Sequence, residues 1–530
     1  VKRLRLYGPG GMDHVDPCCA YHPPAGQLLR LFTRQLFSYP AEADLRDWRA
    51  VTPVPDLAAD VPTIYNAGMG ASGRTYTVHM RPGVYWDTTP PRAVTTHDVV
   101  RGFKRMCNPV RRSPVLSYFT STIRGMAEYC ASFASPGGDR DAAELAGFQN
   151  AHDIPGVRAV DDETIVFELN RPTLDFINML ALTCASPAPV EYDAYLPDSP
   201  ELRENLRSVG PYRFDVPSLS FLPNPAWRQE TDPVRGRPVE RIEVTVTPAT
   251  PEQVAEKIQA GGADLAWGPV ASSGPPAGDL GLALDPYLLL NLRGVLSTVE
   301  LRRAVSYAVD KSALLDLFPE GAARVAGSVV PPGNDAHVPS LDPYATAGGR
   351  GNRRKARTLL AAAGVEDPVL TLVHPAAGAG AAVAGSVAAD LTRTGITVRI
   401  IGLDPAAFHR TLTDLPGEWD IAVASRWPDW YDLNARVFLQ PLVSSGNVAG
   451  YSCVDVDDLV QQAVETVEPV KANLLWQDVQ RRVLDDAVVV PLLFRAPVST
   501  PVRGSRVRDA VPLPTFGYVD DLTALRLVES

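Results

Sequence analysis

The chain has 530 residues, 45% of them hydrophobic and 21% charged, with a net charge of −11. That length buries a large core and points to about three domains, while the acidic balance excludes a general nucleic-acid binder, which needs a basic patch or stripe. No stretch approaches the roughly 18 consecutive apolar residues that span a bilayer, and a start at Val1 without an apolar leader core reads as a processed chain, with a cytoplasmic protein as the alternative.

Strand and helix patterns alternate without a fixed repeat, which predicts an α/β fold. Gly8-Pro-Gly10-Gly11 opens no helix and reads as a turn after a first strand. Strands are predicted at 75–80, 164–169 and 241–246, where alternate residues such as Tyr76, Val78 and Met80 form one apolar face. Thr95–Asp98, Thr250–Gln253 and Ser297–Glu300 have the form of capping boxes, in which side chains satisfy the first N–H groups of a helix. After Ser297, the residues Leu301, Ala304, Val305, Ala308 and Val309 follow one buried helical face. Further helices are predicted over 353–363, stopped by Gly364, and over 471–486, followed by an apolar strand from Val488 to Phe494. Residues 376–387 are nearly all Ala, Gly and Val and fit either a helix start or a loop. Turn-rich stretches fall near 53–73, 132–139, 216–238, 268–280 and 330–352.

No GxSxG, HExxH or Walker-type motif occurs, so no catalytic residue, cofactor or metal ligand is assigned. None of the six cysteines has a zinc spacing. Cys107 and Cys130 flank one helical hairpin-like segment and are the first candidates for a disulfide, with buried free thiols as the alternative. The adjacent pair Cys18–Cys19 is not a CxxC motif. His14 and His22 lie close in sequence, but loop spacing fixes no geometry.

Residues 425–436 (SRWPDWYDLNAR) follow the apolar strand Ile421–Ala424. Arg426, Trp427, Asp429, Trp430, Tyr431 and Asp432 combine rigid aromatic surface with carboxylates. Such a set suits a cationic or amphipathic ligand, which gains ring contact, cation–π attraction and charge pairing. An aromatic turn closing a core is the other reading of the same residues.

Several motifs, in order, resemble the solute-binding proteins of oligopeptide, dipeptide and nickel ABC importers (family 5). YTVHMRPGVYWDTTPPRAVTTHDVV, beginning at Tyr76, is similar to the family's strand, turn and T-A-x-DVV helix. VGPYRF at 209–214, the strand–helix unit at 241–267, ELRRAVSYAVDKSAL at 300–314, Pro331-Pro332-Gly333 and RRKARTLLAAAG at 353–364 are similar to its later motifs. The set also resembles the oligopeptide-binding type of actinomycete antibiotic gene clusters, those for clavulanic acid included.

The resemblance implies a two-lobed periplasmic-binding-protein fold with an additional domain and the ligand in the inter-lobe cleft. It implies domain I in three pieces (1–33, 188–283 and 493–530), domain II at 34–187 and domain III at 284–492. It also implies a peptide or amino-acid ligand, a membrane ABC permease as partner, no nucleic acid, a monomer, and an extracytoplasmic site, lipid-anchored or secreted. Relatives hold a peptide backbone as an added strand. One pairing segment follows Val15-Asp16-Pro17, placing Tyr21, His22 and Pro23 at the ligand. The other places Asp429 on the ligand's α-ammonium, with Arg426 and Trp427 beside the backbone. Trp427, Trp430, Tyr431, Tyr21 and Trp267 would form walls, and Asp432 would add charge for a basic side chain. Pro428 removes a backbone donor, which favours a short ligand, with arginine or an arginine-bearing peptide as the expectation. The alternatives are a metal chelate, haem or sugar on the same scaffold, a biosynthetic enzyme that has borrowed the fold, or a sensory domain.

Overall fold

Strand β1 (Arg3–Gly8) alternates the exposed Arg3 and half-buried Arg5 with Leu4 and Leu6, which are buried. The same alternation recurs in β7 (Arg241–Val246), where Ile242 and Val244 are buried, and the two strands pair in parallel with Leu4 opposite Ile242 and Leu6 opposite Val244. Two apolar rows thus meet on one face of a sheet, the arrangement a period of two dictates. The structure, a computed structural model, describes residues 2–45, 47–135, 137–268, 282–432, 434–496 and 502–528. The chain divides into two compact units, one comprising Val1–Gly268 with Pro501–Ser530 and the other Pro269–Thr500.

In the first unit the longer strands between β1 and β7 are β2 (Thr75–His79), β3 (Val157–Ala159), β4 (Thr164–Glu168), β5 (Tyr212–Asp215) and β6 (Ser220–Pro223), and β8 (Leu265–Ala266) follows β7. One sheet runs β8-β1-β7-β6-β5, and a smaller antiparallel sheet runs β2-β4-β3. The predicted strands at 75–80, 164–169 and 241–246 are therefore present, as is the turn after the first strand.

Helices α1 (Pro23–Leu29), α2 (Thr96–Met106), α3 (Met126–Ala134) and α4 (Pro251–Gln259) belong to this unit. Two starts follow the predicted capping: Asp98 accepts the Thr95 N–H, and Thr250 and Gln253 exchange reciprocal bonds. Cys107, at the end of α2, is disulfide-bonded to Cys130 in α3.

Two features bind distant stretches of this unit. Asp56 accepts from Arg34 Nε at 2.8 Å, Arg235 Nη1 at 2.7 Å and Ser38 Oγ at 2.8 Å, with Asp232 beside both guanidiniums, and all four charged side chains are fully buried. Burial alone would raise the Asp56 pKa, but Arg235 and Arg34 outweigh it and hold the carboxyl down, at about 2. The stretch after Pro501 then returns to complete the core. Val507, Leu522, Leu525 and Leu527 pack with Leu4, Leu6, Leu28 and Phe32, while Arg30 donates to Asp521 and Gln27 to the Asp520 carbonyl.

The second unit is built on β9 (Ala283–Leu290), β10 (Ala323–Val325), β11 (Val369–Pro375), β12 (Thr397–Leu403), β13 (Ile421–Arg426), β14 (Val489–Pro491) and β15 (Leu493–Arg495). Its sheet runs β10-β15-β9-β13-β11-β12, with β14 also paired to β9. All eight residues of β9 are buried, as expected of a central strand covered on both faces. Helices α5 (Val299–Ala308), α6 (Arg353–Ala363) and α7 (Gly380–Thr394) supply Leu301, Val305, Ala356, Val383, Val387 and Leu391 to its core. The small-residue run at 376–387 thus leads into a helix, and Gly364 ends α6 in the left-handed region that glycine favours. The long C-terminal helix spans Pro469–Asp485, and the apolar run after it forms two short strands rather than one.

One local expectation fails. Ser297 does not cap α5. It ends a 3₁₀ turn (Gly294–Ser297), and the helix starts at Val299 behind Thr298, whose side chain makes no capping bond. The carbonyls of Leu296 and Ser297 instead accept from Arg302 Nη1. A long, charged donor one turn into the helix therefore pins the entry that a short hydroxyl was expected to hold.

Candidate ligand-binding site

The expected ligand residues fall in both units, and each set is built by its own local logic. In the first unit the loop from Asp13 to Pro23 is held by carboxylates. Asp13 Oδ2 accepts the backbone N–H groups of Tyr21, at 2.9 Å, and His22, at 3.1 Å. Asp198 accepts from the Val15 and Asp16 N–H groups and from Arg203, and His14 Nδ1 lies 2.7 Å from its second oxygen. Asp16 is ion-paired with the buried Arg105 and accepts the Cys18 N–H at 3.1 Å. The Val15, Asp16, Cys18, Tyr21 and His22 N–H groups are thus met by side chains, while the Asp16 carbonyl takes those of Cys19 and Ala20.

Tyr21, His22 and Pro23 close this loop, and all three are half-buried. Pro23 is the first residue of α1, where a missing N–H costs nothing. His22 Nδ1 faces the Gly11 carbonyl at 3.3 Å, and burial lowers its pKa, with Asp13 acting against that. Trp267 lies just past β8, donates its N–H to the Tyr7 carbonyl and accepts from Gly10 N–H, and is buried in the core with Leu4 and Leu6. A Cβ on Gly10 would come within 2.7 Å of its ring, so the glycine permits the close approach. The indole Nε1 has no hydrogen-bond partner among the described residues.

In the second unit β13 delivers the aromatic segment. Arg426 pairs opposite Leu284 of β9, just before a register shift, and Ser425 Oγ donates to Asp285, which is also ion-paired with Arg495. Beyond the strand the segment is held by successive short-range bonds. Arg426 Nε donates to the Val437 carbonyl at 2.8 Å and Nη2 to Asp429 Oδ2 at 2.8 Å. Trp430 Nε1 donates to Asp432 Oδ2 at 2.7 Å, and Asp432 Oδ1 accepts the Asn434 N–H.

Exposure separates these residues. The Arg426 and Asp429 side chains are only 9% and 7% exposed, and Trp430 is fully buried. Trp427, Pro428 and Tyr431 are half-buried, and Asp432 is exposed. Asp429 therefore already carries a guanidinium, although a carboxylate has about four lone-pair sites and can serve a second cation.

Sequence reading did not single out Asp13, Arg105 or Asp198 as organisers. Asp198 lies 184 residues from His14, and no local spacing advertises a pair so far apart. A small cavity of about 80 Å³ in the second unit, lined by Lys311, Asp342 and Thr346 among others, falls well below the few hundred Å³ of an ordinary ligand pocket. Among the described residues no group of three His, Cys, Asp or Glu side chains is arranged to hold a metal ion, and no helix is long and apolar enough to cross a membrane.

Residues 52–450 match the profile of the bacterial extracellular solute-binding proteins, family 5 (middle). The chain belongs to this family. Its family 5 relatives include di/tripeptide-binding protein 4 of Pseudomonas aeruginosa, 27% identical over 80% of this chain and 79% of the relative. Haem-binding protein A of Haemophilus influenzae is 25% identical over 82% of this chain and 79% of its own length. Among solved structures, clavulanic acid biosynthesis oligopeptide binding protein 2 superposes with a TM-score of 0.72 at 26% identity, covering 99% of this chain and 95% of that one. The Escherichia coli murein tripeptide binding protein MppA, at 18% identity and a TM-score of 0.78, covers 100% and 99% and shows the shared fold. The resemblance read from the motifs is thus confirmed at the level of family and fold. The family spans relatives named for peptides and for haem, so membership alone does not choose the ligand.

Proposed function

We propose that this family 5 solute-binding protein captures a short cationic peptide or amino acid, arginine or an arginine-bearing peptide, for a membrane ABC permease. The observation that carries this reading is the 426–432 segment, where Asp429 and Asp432 stand among Trp427, Trp430 and Tyr431. Asp429 receives the ligand's α-ammonium while Arg426 fixes its rotamer. The exposed Asp432, oriented by Trp430 and Asn434, pairs with a basic side chain. Trp427 and Tyr431 provide the partly open aromatic surface, and Tyr21, His22 and Pro23 are the further ligand residues of this reading.

Pro428 offers no N–H for strand-like pairing, which supports a short ligand over a long one. The Tyr21 and His22 N–H groups, already donated to Asp13, support the same preference. In this reading domain I comprises 1–33, 188–283 and 493–530, domain II is 34–187 and domain III is 284–492. The protein acts as an extracytoplasmic, anchored or secreted monomer and performs no catalysis. The likeness to the clavulanic acid protein, at 26% identity, supports a link to antibiotic biosynthesis as part of this reading.

Calorimetry of the purified protein with arginine, an arginine-containing dipeptide and an uncharged dipeptide tests the assignment. The expected order places the arginine dipeptide first, and Asp429→Asn weakens its binding by more than about a hundredfold, since breaking a buried charge pair costs about 3–5 kcal/mol. Equal affinity for all three probes, or an unchanged affinity in the variant, overturns it.

A further inference from the structure

We propose that one flank of α6, carrying Arg353, Arg354 and Arg357, is a docking surface for the anionic headgroups of a phospholipid bilayer. All three side chains are exposed, as is Arg350 just before the helix. At about 3.6 residues per turn the three fall on one side of α6, while Ala356 is buried and Leu359, Leu360 and Ala363 pack against the core. Arg357 Nη2 donates to the Arg393 carbonyl at 2.8 Å. That bond brings the last turn of α7, with the exposed Arg393, to the edge of the same flank.

The fold does not consume these charges. The guanidiniums of Arg350, Arg353 and Arg354 have no hydrogen bond or ion pair among the described residues. Asp390, which feels the Arg353 charge, is already bonded to Arg393 Nη1 at 3.2 Å and to the Asp310 N–H at 2.9 Å. No acid stands between Asp342 and Glu366. Arg353 and Arg354 also open the helix, where the macrodipole favours carboxylates over cations. A local rule broken without a gain in stability marks function, and here it is broken by a basic cluster in a chain of net charge −11.

Charge and shape select the partner. The outer flank of a helix offers cations but no sheet edge or groove in which an extended peptide could pair its backbone. Lipid headgroups need neither, because they are mobile and gather beneath clustered arginines. The net negative charge of the chain opposes association, so the contact is confined to this flank and weakens with salt. That a membrane lies within reach rests on the permease-serving role proposed above. The affinity of the flank for headgroups is read on vesicles alone, so either can fail without the other.

In the test, the full chain is sedimented with vesicles of phosphatidylcholine alone and of phosphatidylcholine mixed with phosphatidylglycerol. Binding to the mixed vesicles only, falling as salt is raised, is expected. Replacing Arg353, Arg354 and Arg357 together by Gln should weaken it about a hundredfold, since each basic residue at an anionic surface contributes about fivefold. Arg353→Gln with Arg354→Gln, which breaks no hydrogen bond of the fold, should weaken it about thirtyfold. Melting temperature and affinity for the arginine dipeptide are expected to stay as in the unmutated chain. A control in which the exposed Arg112, Arg158 and Arg213 become Gln carries the same net charge and should bind vesicles nearly as well as the parent. No binding to either vesicle, equal binding to both, or an equal loss in the control overturns the proposal. Capture of polyglutamate through the same three arginines, with the vesicles left unbound, assigns the flank to an acidic peptide and overturns it as well.

Discussion

Arg426 Nη2 lies 2.8 Å from Asp429 Oδ2, and both side chains are almost fully withdrawn from water. The acid proposed to take the ligand's ammonium is therefore already held by a cation of the protein. Arg426→Ala leaves that carboxylate uncompensated, which costs about 3–5 kcal/mol, so the variant is expected to unfold at markedly lower urea. Arg426→Lys keeps the charge but not the fork that reaches both Val437 and Asp429, and should recover only part of the loss. Urea titrations of the three proteins check the order.

Trp430 and Trp427 should separate stability from binding. Trp430 is fully buried with its indole N–H bonded to Asp432, so Trp430→Ala is expected to cost about 3–5 kcal/mol of stability. Trp427 is half-buried, so Trp427→Ala should leave the melting temperature nearly unchanged and weaken the arginine dipeptide. Calorimetric melting alongside ligand titration reads both. A Trp427→Ala protein as unstable as the Trp430 variant contradicts this division.

Asp56 carries an acid-dependent share of stability. Its folded pKa, about 2, lies below the ordinary unfolded value of about 3.9. The sign follows: the unfolded state binds the proton first as pH falls. The stabilisation, about 2 to 3 kcal/mol, is complete above about pH 4 and is lost as pH falls through about 2. Asp56→Asn removes this component and leaves Arg34 and Arg235 short of a counter-charge. Its stability should be lower than the parent's at neutral pH, and the gap should narrow on acidification, as followed by denaturant melts across that range.

The Cys107–Cys130 bond closes a loop with a sequence separation of 23. The loop-closure relation gives about 3 kcal/mol for this size. Cys107→Ser with Cys130→Ser is expected to lose about that much, visible as a shifted urea midpoint. Reduction of the parent protein should produce a similar shift, with a somewhat steeper slope because the freed unfolded chain exposes more surface.

Elements governed by local periodicity were legible in the sequence. The strands of Leu4 and Ile242, the helix stopped by Gly364 and the cap at Thr250 each depend on residues within a turn or two. The aromatic segment could be located, since Trp427, Trp430 and Asp432 are contiguous. Which rings would be buried could not, because that depends on bonds such as Arg426 to Val437. Ser297 misled for a related reason: Arg302, five residues on, took over its role. Asp13 and Asp198 escaped notice because a carboxylate that organises a loop has no periodic signature.

The return of residues 507–527 to the core of Leu4 and Leu6 has a consequence for biosynthesis. On the ribosome the second unit is synthesised inside the first, so the portion made earliest is finished last. Its amino-terminal sheet must wait, with Leu28 and Phe32 uncovered, until Leu522, Leu525 and Leu527 emerge. Such a nascent chain stays open to chaperones for most of its synthesis, and a stop codon placed just after Arg495 should abolish the amino-terminal unit and not merely shorten it.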